Sequence, residues 1–363
     1  MTMHRFSRAW VFLLTASAAV LAGCASSAKV YDDGRTAAQL RMEARDYGVV
    51  LHHGEGPDSC DAHGARDAWV FEYQGMYYVH YDGAGLRGWI ACRAKSKDLM
   101  NWEREGPILD LGKPGDKDSK SASYGIPVHD GKQWHLFYMG TTSATDPPDL
   151  IPVPPYFTLK ATAKTPLGPW KKQKGVIPFL PKAGTFYSAT ASPGHTIENP
   201  GGGYLHFFSG SEGEHLFKRS IGIARTTDLN SAWSIDAQPI VPPEEQIENS
   251  SLFYQEENKT WFLFTNHVGI AGGNEFTDAI WVYWTKDLNT WDPKAKAVVL
   301  DGNNCTWSKR IIGLPSVLRV GSKLALMYDG TSNDDLGHMR RDIGLAWLDL
   351  PLIPPKVQTE TNP

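Results

Sequence analysis

The sequence predicts an all-β chain folded as a five-bladed β-propeller, its ring closed by an N-terminal strand that completes the last blade. Three observations lead there. The 363-residue chain is rich in turn formers and aromatics, with 35 Gly, 24 Pro, 13 Trp, 14 Tyr and 14 Phe, and it has no long helical pattern. That is the composition of short strands and tight turns. A strand–turn–strand pattern ending in glycine recurs about every 60 residues. Finally, the last copy lacks a closing strand, and a segment of the right form stands at the other end of the chain.

The five copies are WVFEYQGMYYVHYDG ending at Gly83, IPVHDGKQWHLFYMG at Gly140, GHTIENPGGGYLHFFSG at Gly210, SLFYQEENKTWFLFTNHVG at Gly269 and SVLRVGSKLALMYDG at Gly330. Each reads as two half-buried strands joined by turn residues, a β-hairpin. After the hairpin comes a third strand, a polar turn and a tryptophan that opens a fourth, as in SKDLMNW, TTDLNSAW and TKDLNTW, with TPLGPW a weaker copy. Asp98, Asp228 and Asp287 suit Asx turns, which accept backbone N–H bonds locally. Trp102, Trp170, Trp233 and Trp291 are expected to pack between neighbouring sheets. Four antiparallel strands repeated five times is a propeller pattern.

The fifth copy runs from DIGLAWLDLPL into IPP and a polar tail. YGVVLHHGEGPD, from Tyr47 to Asp58, resembles the other fourth strands, so the chain start is expected to close the ring and remove an open sheet edge. This divides the chain into a signal segment (1–23), a tether with a short helical stretch in TAAQLRMEAR (24–44), the propeller (45–352) and a polar tail (353–363).

The first segment has a basic start (Arg5, Arg8), an apolar run too short to span a bilayer, and then LAGC. LAGC resembles the lipobox of bacterial lipoproteins, which implies lipidation at Cys24. The expected localisation is an exported lipoprotein on the periplasmic side or cell surface; Ala25 and Ser26 imply the outer membrane. Three cysteines remain, Cys60, Cys92 and Cys305. They allow either one disulfide with a thiol left over or buried free thiols, and they lack the close spacing of a zinc site. With 36 Lys+Arg against 40 Asp+Glu, the formal charge is −4, which gives no argument for nucleic acid or an anionic membrane surface.

Propeller connectivity sends the SKDLMNW-type turns to one face. The other face collects the approaches to each first strand and the loops between second and third strands. Two carboxylates head first strands there, Asp67 in copy one and Glu248 in IENSSLFYQ of copy four. A pair facing across a pit suits glycosidic hydrolysis, where one carboxyl protonates the leaving oxygen and the other activates water or attacks the sugar. Trp69, Tyr124, Phe186, Tyr187 and Trp307 are available to stack on sugars. The insert TTSATDPPDLIPVPPYFTL is Pro-rich enough to form a stiff wall of the pit.

These hairpins, the S/T-K-D-L-x-x-W turns, Asp67 and Glu248 together resemble glycoside hydrolase family 43 and its relatives, families 32, 62, 117 and 130. The resemblance covers nearly all of the chain after residue 44. It implies Asp67 as general base and Glu248 as general acid, with inversion at the anomeric carbon. Two departures mark a divergent chain. The third carboxylate of family 43 precedes a proline where this sequence has Ser192–Pro193, so Asp278 or Glu212 is expected to substitute, with Asp278 preferred. Residues 66–68 read RDA where many relatives have Asp–Pro, and the NDPNG stretch of family 32 is missing.

The expected substrate contacts are Trp69, Tyr124, Tyr187, Ser188, His267, Trp307, Arg310 and His338. The resemblance also allows a structural Ca²⁺ near His267 or His338 at the central channel, with no cofactor required for chemistry. Arg310, Arg340 and Arg341 suit either an acidic sugar or salt bridges with Asp334, Asp335 and Asp342. The activity implied is exo-acting hydrolysis of arabinofuranoside, xyloside or anhydrogalactoside units from oligosaccharides. Two alternatives stand beside it: a phosphorylase, carried by Lys309 and Arg310, and a carbohydrate-binding propeller without catalysis.

Overall fold

A computed structural model describes residues 31, 34–35, 37–214 and 216–356. Among them the regular structure is almost entirely strand, broken by two 3-10 turns at Pro57–Ser59 and Pro243–Glu245. Cys24 and the other signal-segment residues lie outside the described residues.

The chain begins its sheets with β1 (Arg45–Leu51). A first unit follows, with β2 (Ala65–Tyr73), β3 (Met76–Gly85), β4 (Gly88–Ser96) and β5 (Glu103–Pro107). The second has β6 (Ser121–His129) and β7 (Trp134–Thr141), a small ribbon β8 (Ser143–Ala144) and β9 (Pro152–Val153), then β10 (Phe157–Ala163) and β11 (Lys171–Lys172). The third is β12 (Thr190–Glu198), β13 (Tyr204–Glu212), β14 (Lys218–Thr226) and β15 (Ser234–Ile235). The fourth is β16 (Ile247–Gln255), β17 (Thr260–Ala271), β18 (Asn274–Thr285) and β19 (Lys296–Asp301). The last holds β20 (Ile312–Val320), β21 (Lys323–Gly330) and β22 (Asp342–Asp349). Its fourth strand is β1, which pairs antiparallel with β22 from Arg45↔Trp347 to Leu51↔Ile343. A short parallel link between β4 and β6 joins the first two units into one eight-stranded sheet.

Strand alternation explains the packing. One face of β3 and β21 supplies Val79, Tyr81, Ala325 and Met327 to a buried cluster that spans the first and last units, and Trp102 packs against it. Trp291 joins residues of the third and fourth units, and Trp233 meets Phe137 and Phe179. First strands of different units are tied through side chains. His195 N–H donates to Ser250 Oγ (3.0 Å), Val317 N–H to Ser251 Oγ (3.0 Å) and Val70 N–H to Ser316 Oγ (2.9 Å). Tyr124 on β6 reaches the carbonyl of Pro193 on β12 at 3.4 Å, and β2 contacts β6.

The expected short helix before residue 45 is not formed. The chain from 40 to 44 runs extended beside β19, with Met42 N–H on Val298 O, Ala44 N–H on Val299 O and Val298 N–H on Leu40 O. Arg41 fixes it there with two bonds to Asp301. This stretch is docked rather than a tether, because β19 would otherwise present unpaired backbone groups. Cys60, Cys92 and Cys305 are buried free thiols. Cys92 Sγ lies 3.9 Å from Cys60 O, and Cys305 Sγ lies 3.5 Å from the Tyr328 hydroxyl.

Candidate active site

Every first strand has a bulge near its start, between Arg66 and Trp69, Ser123 and Ile126, Ser192 and His195, Glu248 and Ser251, and Gly313 and Ser316. Bulges bend a strand and re-aim its side chains. Arg66, Ser123, Ser192, Glu248 and Gly313 are therefore equivalent, each the last paired residue before the bulge. Asp67 stands one position further on, inside its bulge, at φ 54°, like Asn249 at φ 61°. Asp and Asn tolerate this left-handed conformation better than most residues. The Asp67 N–H is held by Asp329 Oδ2 at 3.1 Å.

Asp67 and Glu248 line one cavity of about 410 Å³. Its polar side carries Arg66, Asp82, Arg219, Glu275 and His338 beside them, and its apolar side carries Trp89, Tyr124, Met139, Tyr156 and Phe217. The insert closes one flank with Thr145 and residues 151–154. It is shaped by the β8–β9 ribbon, by Thr141 Oγ1 donating to Val153 O (2.8 Å), and by Trp89 Nε1 donating to Asp149 O (3.0 Å).

Each carboxylate has its own arginine. Arg66 Nε lies 3.2 Å from Asp67 Oδ2, and the Arg66 guanidinium sits over the Trp89 ring. Arg219 donates to Glu248 Oε2 at 3.0 Å and to Glu275 Oε2 at 2.6 Å, so it bridges two carboxylates. Asn266 Nδ2 donates to Glu248 Oε1 at 3.3 Å, and Asn266 Oδ1 accepts from Asn249 Nδ2 at 2.8 Å. Arg66 also contacts His338 Nδ1 at 2.6 Å. Arginine only donates, so Nδ1 is an acceptor and His338 is neutral with its hydrogen on Nε2.

Burial is the largest influence on Asp67 and raises its pKa; Arg66 opposes this and Asp329 reinforces it. Asp82 is pushed well above the usual carboxylate range by burial and then by the charge of Asp67. His338 is pushed well below its ordinary value, by burial first and then by Arg66, Arg341 and Arg219.

Of the residues expected from sequence, Asp67, Glu248, Tyr124 and His338 meet in the cavity. The others face elsewhere. Asp278 sits in a β17–β18 bulge and turns its carboxylate to His267 Nδ1 (2.6 Å) and the Tyr31 hydroxyl (2.8 Å). It is not the third carboxylate of the cavity; Asp82 and Glu275 line it instead. His267 stacks on Trp281, with its nitrogens directed to Asp278, Tyr31 and Arg35. Trp69 is buried with Tyr124 and Ile126, Tyr187 packs on Phe186 and Phe208, and Trp307 donates to Tyr328 at 2.7 Å. The Ser188 N–H closes a turn on Thr185 O. Arg310 lies exposed outside the cavity, bonded to Asp334 O at 3.3 Å.

Arg66, Arg219 and Trp89 carried no sequence motif of their own. The basic residue beside Asp67 was the one available signal. A Ca²⁺ at His267 does not fit this donor set, because both ring nitrogens face protein groups. Among the described residues there is also no His, Cys, Asp and Glu group arranged to hold a metal ion.

No protein-family model matches the sequence, and no curated protein matches it significantly. Solved structures match the fold. A glycosyl hydrolase from Bacteroides ovatus aligns with TM-score 0.61 at 15% identity, over 88% of this chain and 96% of that one. The catalytic domain of a family 62 α-L-arabinofuranosidase from Coprinopsis cinerea aligns with TM-score 0.58 at 12% identity, over 85% and 98%. A family 117 glycoside hydrolase from the marine bacterium Zobellia galactanivorans gives 0.57 at 15% identity, over 85% and 91%. The chain thus has the fold of the β-propeller glycoside hydrolases, at a sequence distance that neither a family model nor a curated relative spans.

Proposed function

We propose that the chain is a glycosidase that removes terminal sugars from oligosaccharides, with Asp67 as base and Glu248 as acid. One observation carries this reading: two carboxylates, from the first and fourth units, line a single cavity, each oriented by its own half-buried arginine. The ring is read as five closed blades, supported by the chain of contacts between first strands and by the β1–β22 pairing.

In the reaction, Glu248 gives its proton to the leaving oxygen while Asp67 takes one from water, which attacks the opposite side of the sugar and inverts the anomeric carbon. Arg219 would stabilise the carboxylate that Glu248 becomes once its proton has gone to the leaving oxygen. Its bond to Glu275 is shorter than its bond to Glu248, so loosening the latter leaves the guanidinium paired. Glu275 would then serve where Ser192 offers no charge. The flank closed by the insert favours exo-action on a chain end. Arabinofuranoside-, xyloside- and anhydrogalactoside-type units are the candidates, the first in keeping with the fold neighbour of family 62, an α-L-arabinofuranosidase. A phosphorylase has no support from Lys309 and Arg310; Arg310 lies outside the cavity, and Lys309 bonds to loop carbonyls.

The test is a panel of aryl glycosides and arabino-, xylo- and agaro-oligosaccharides. Hydrolysis is expected from wild type and lost in Asp67→Asn and Glu248→Gln with sugar binding retained, and proton NMR of the first product shows the inverted anomer. Turnover that needs inorganic phosphate, or binding with no hydrolysis on the whole panel, defeats the proposal.

A further inference from the structure

Asp82 on β3 stands opposite Arg66 in the β2–β3 pairing, is 1% exposed and borders the cavity. Its surroundings hold three carboxylates, Asp67, Asp82 and Asp329, and two guanidiniums, Arg66 and Arg341. Both cations are engaged: Arg341 Nη1 bonds Asp329 Oδ1 at 2.8 Å, and Arg66 Nε lies 3.2 Å from Asp67 Oδ2. Asp82 has no ion pair among the described residues. The nearby Ser123 hydroxyl works against the shift but is bonded to Ser121, and the buried Oδ1 of Asp82 has no hydrogen-bond partner. An ionised carboxylate with a bare oxygen in such a place costs far more than the neutral acid.

We propose that Asp82 keeps its proton through neutral pH, as the neutral member of a carboxyl pair with Asp67. Asp67 then remains the one negative charge of the pair, held by Arg66 and ready to accept a proton. Asp82 acts through Asp67, so it is a positioning residue, and this role rests on the reading of Asp67 as base. The groups that bear on Asp82 are Arg66 and Asp67 from β2, Cys92 from β4, Tyr124 from β6 and Asp329 from β21, whose partner Arg341 stands just before β22. Two guanidiniums balance two carboxylates, and the third is neutral.

The experiment is infrared difference spectroscopy of the full chain, wild type minus Asp82→Asn, across a pH titration. A protonated-carboxyl C=O band is expected at neutral pH in wild type and absent from the variant. In Asp67→Asn the same band should vanish at a pH lower by about one unit or more, since a like charge has been removed. Should Asp82→Asn fail to fold, wild type against Asp67→Asn still reads the coupling. An Asp82 carboxylate band at neutral pH, or a titration unmoved in Asp67→Asn, overturns the inference. Neither readout needs turnover. Absence of any hydrolysis defeats the glycosidase reading alone, and an ionised Asp82 in an active enzyme defeats this one alone.

Discussion

Acid should destabilise this fold through three histidines, the buried His206 and His80 and the half-buried His195, and His206 is the place to measure it. Gly194 N–H donates to His206 Nε2 at 3.0 Å, so that nitrogen must stay unprotonated, and Nδ1 donates to Thr196 Oγ1. The ring is enclosed by Phe137, Phe179 and Trp233. His195 is similar: Leu252 N–H donates to its Nδ1 at 2.9 Å. His80 gives Nδ1 to Gly125 O, and its Nε2 is buried without a partner. Burial therefore lowers His206 and His80 to about 3 and His195 to about 4.

A histidine whose folded pKa lies below its unfolded value of about 6.5 binds more protons when unfolded, so its contribution is intact above about pH 6.5 and lost as pH falls toward the folded value. At about pH 5 each such histidine costs about 2 kcal/mol, an upper figure of about 6 kcal/mol for the three, against a typical total stability of about 5–15 kcal/mol. His53, raised by Asp342, and the raised Asp67 and Asp82 act in the opposite direction. The clean measurement is thus a difference. Urea melts of wild type and His206→Gln, taken from about pH 6.5 to about pH 4, should differ in slope by about 1.4 kcal/mol per pH unit, with wild type the steeper. Glutamine keeps an acceptor for Gly194 without taking up a proton. Equal slopes would refute the reasoning, whatever the variant's absolute stability.

Three further outcomes are expected. Asp329→Asn leaves Arg341 buried beside a neutral amide, and removing one partner of such a pair costs about 3–5 kcal/mol, to be read from denaturant midpoints. Tyr156→Ala, which opens the cavity wall facing both arginine–carboxylate pairs, raises KM more than it lowers kcat, whereas Trp307→Phe, away from the cavity, leaves both unchanged in steady-state assays. Cys24→Ala abolishes fatty-acid labelling and shifts the chain out of the membrane fraction of a producing bacterium; persistent labelling would place the anchor elsewhere.

Much of the architecture was legible because its causes are local. Hairpins follow from alternation and turn residues. Asp98 does what its turn requires, accepting N–H bonds from Met100 (2.9 Å) and Asn101 (2.8 Å). The segment around Tyr47 was recognisable as a missing fourth strand because its pattern matched the others. The site was legible only in outline. Asp67 and Glu248 could be placed at strand starts, but which aromatics turn inward depends on bulges, and a bulge adds a residue without a sequence mark. Trp69 follows such a bulge and ends in the packed centre. Asp278 and Glu275 are three residues apart on one strand, yet a bulge turns Asp278 back to His267 while Glu275 reaches Arg219 from the hairpin end.

The bulges of the first strands also bear on why the proposed chemistry falls in two units. The last paired position offers Arg66, Ser123, Ser192, Glu248 and Gly313. Charge stands at the first and fourth of these, both of which line the cavity, and small residues stand at the other three. Gly313 has a stricter reason to be small. A Cβ there would lie 2.8 Å from Asp329 Oδ1 and 3.1 Å from Arg341 Nη1. That ion pair holds the Asp67 N–H through Asp329 Oδ2. The glycine of the fifth unit therefore keeps open the space in which the backbone of the proposed base is fixed, so the geometry of Asp67 is set from a neighbouring unit as well as from its own strand.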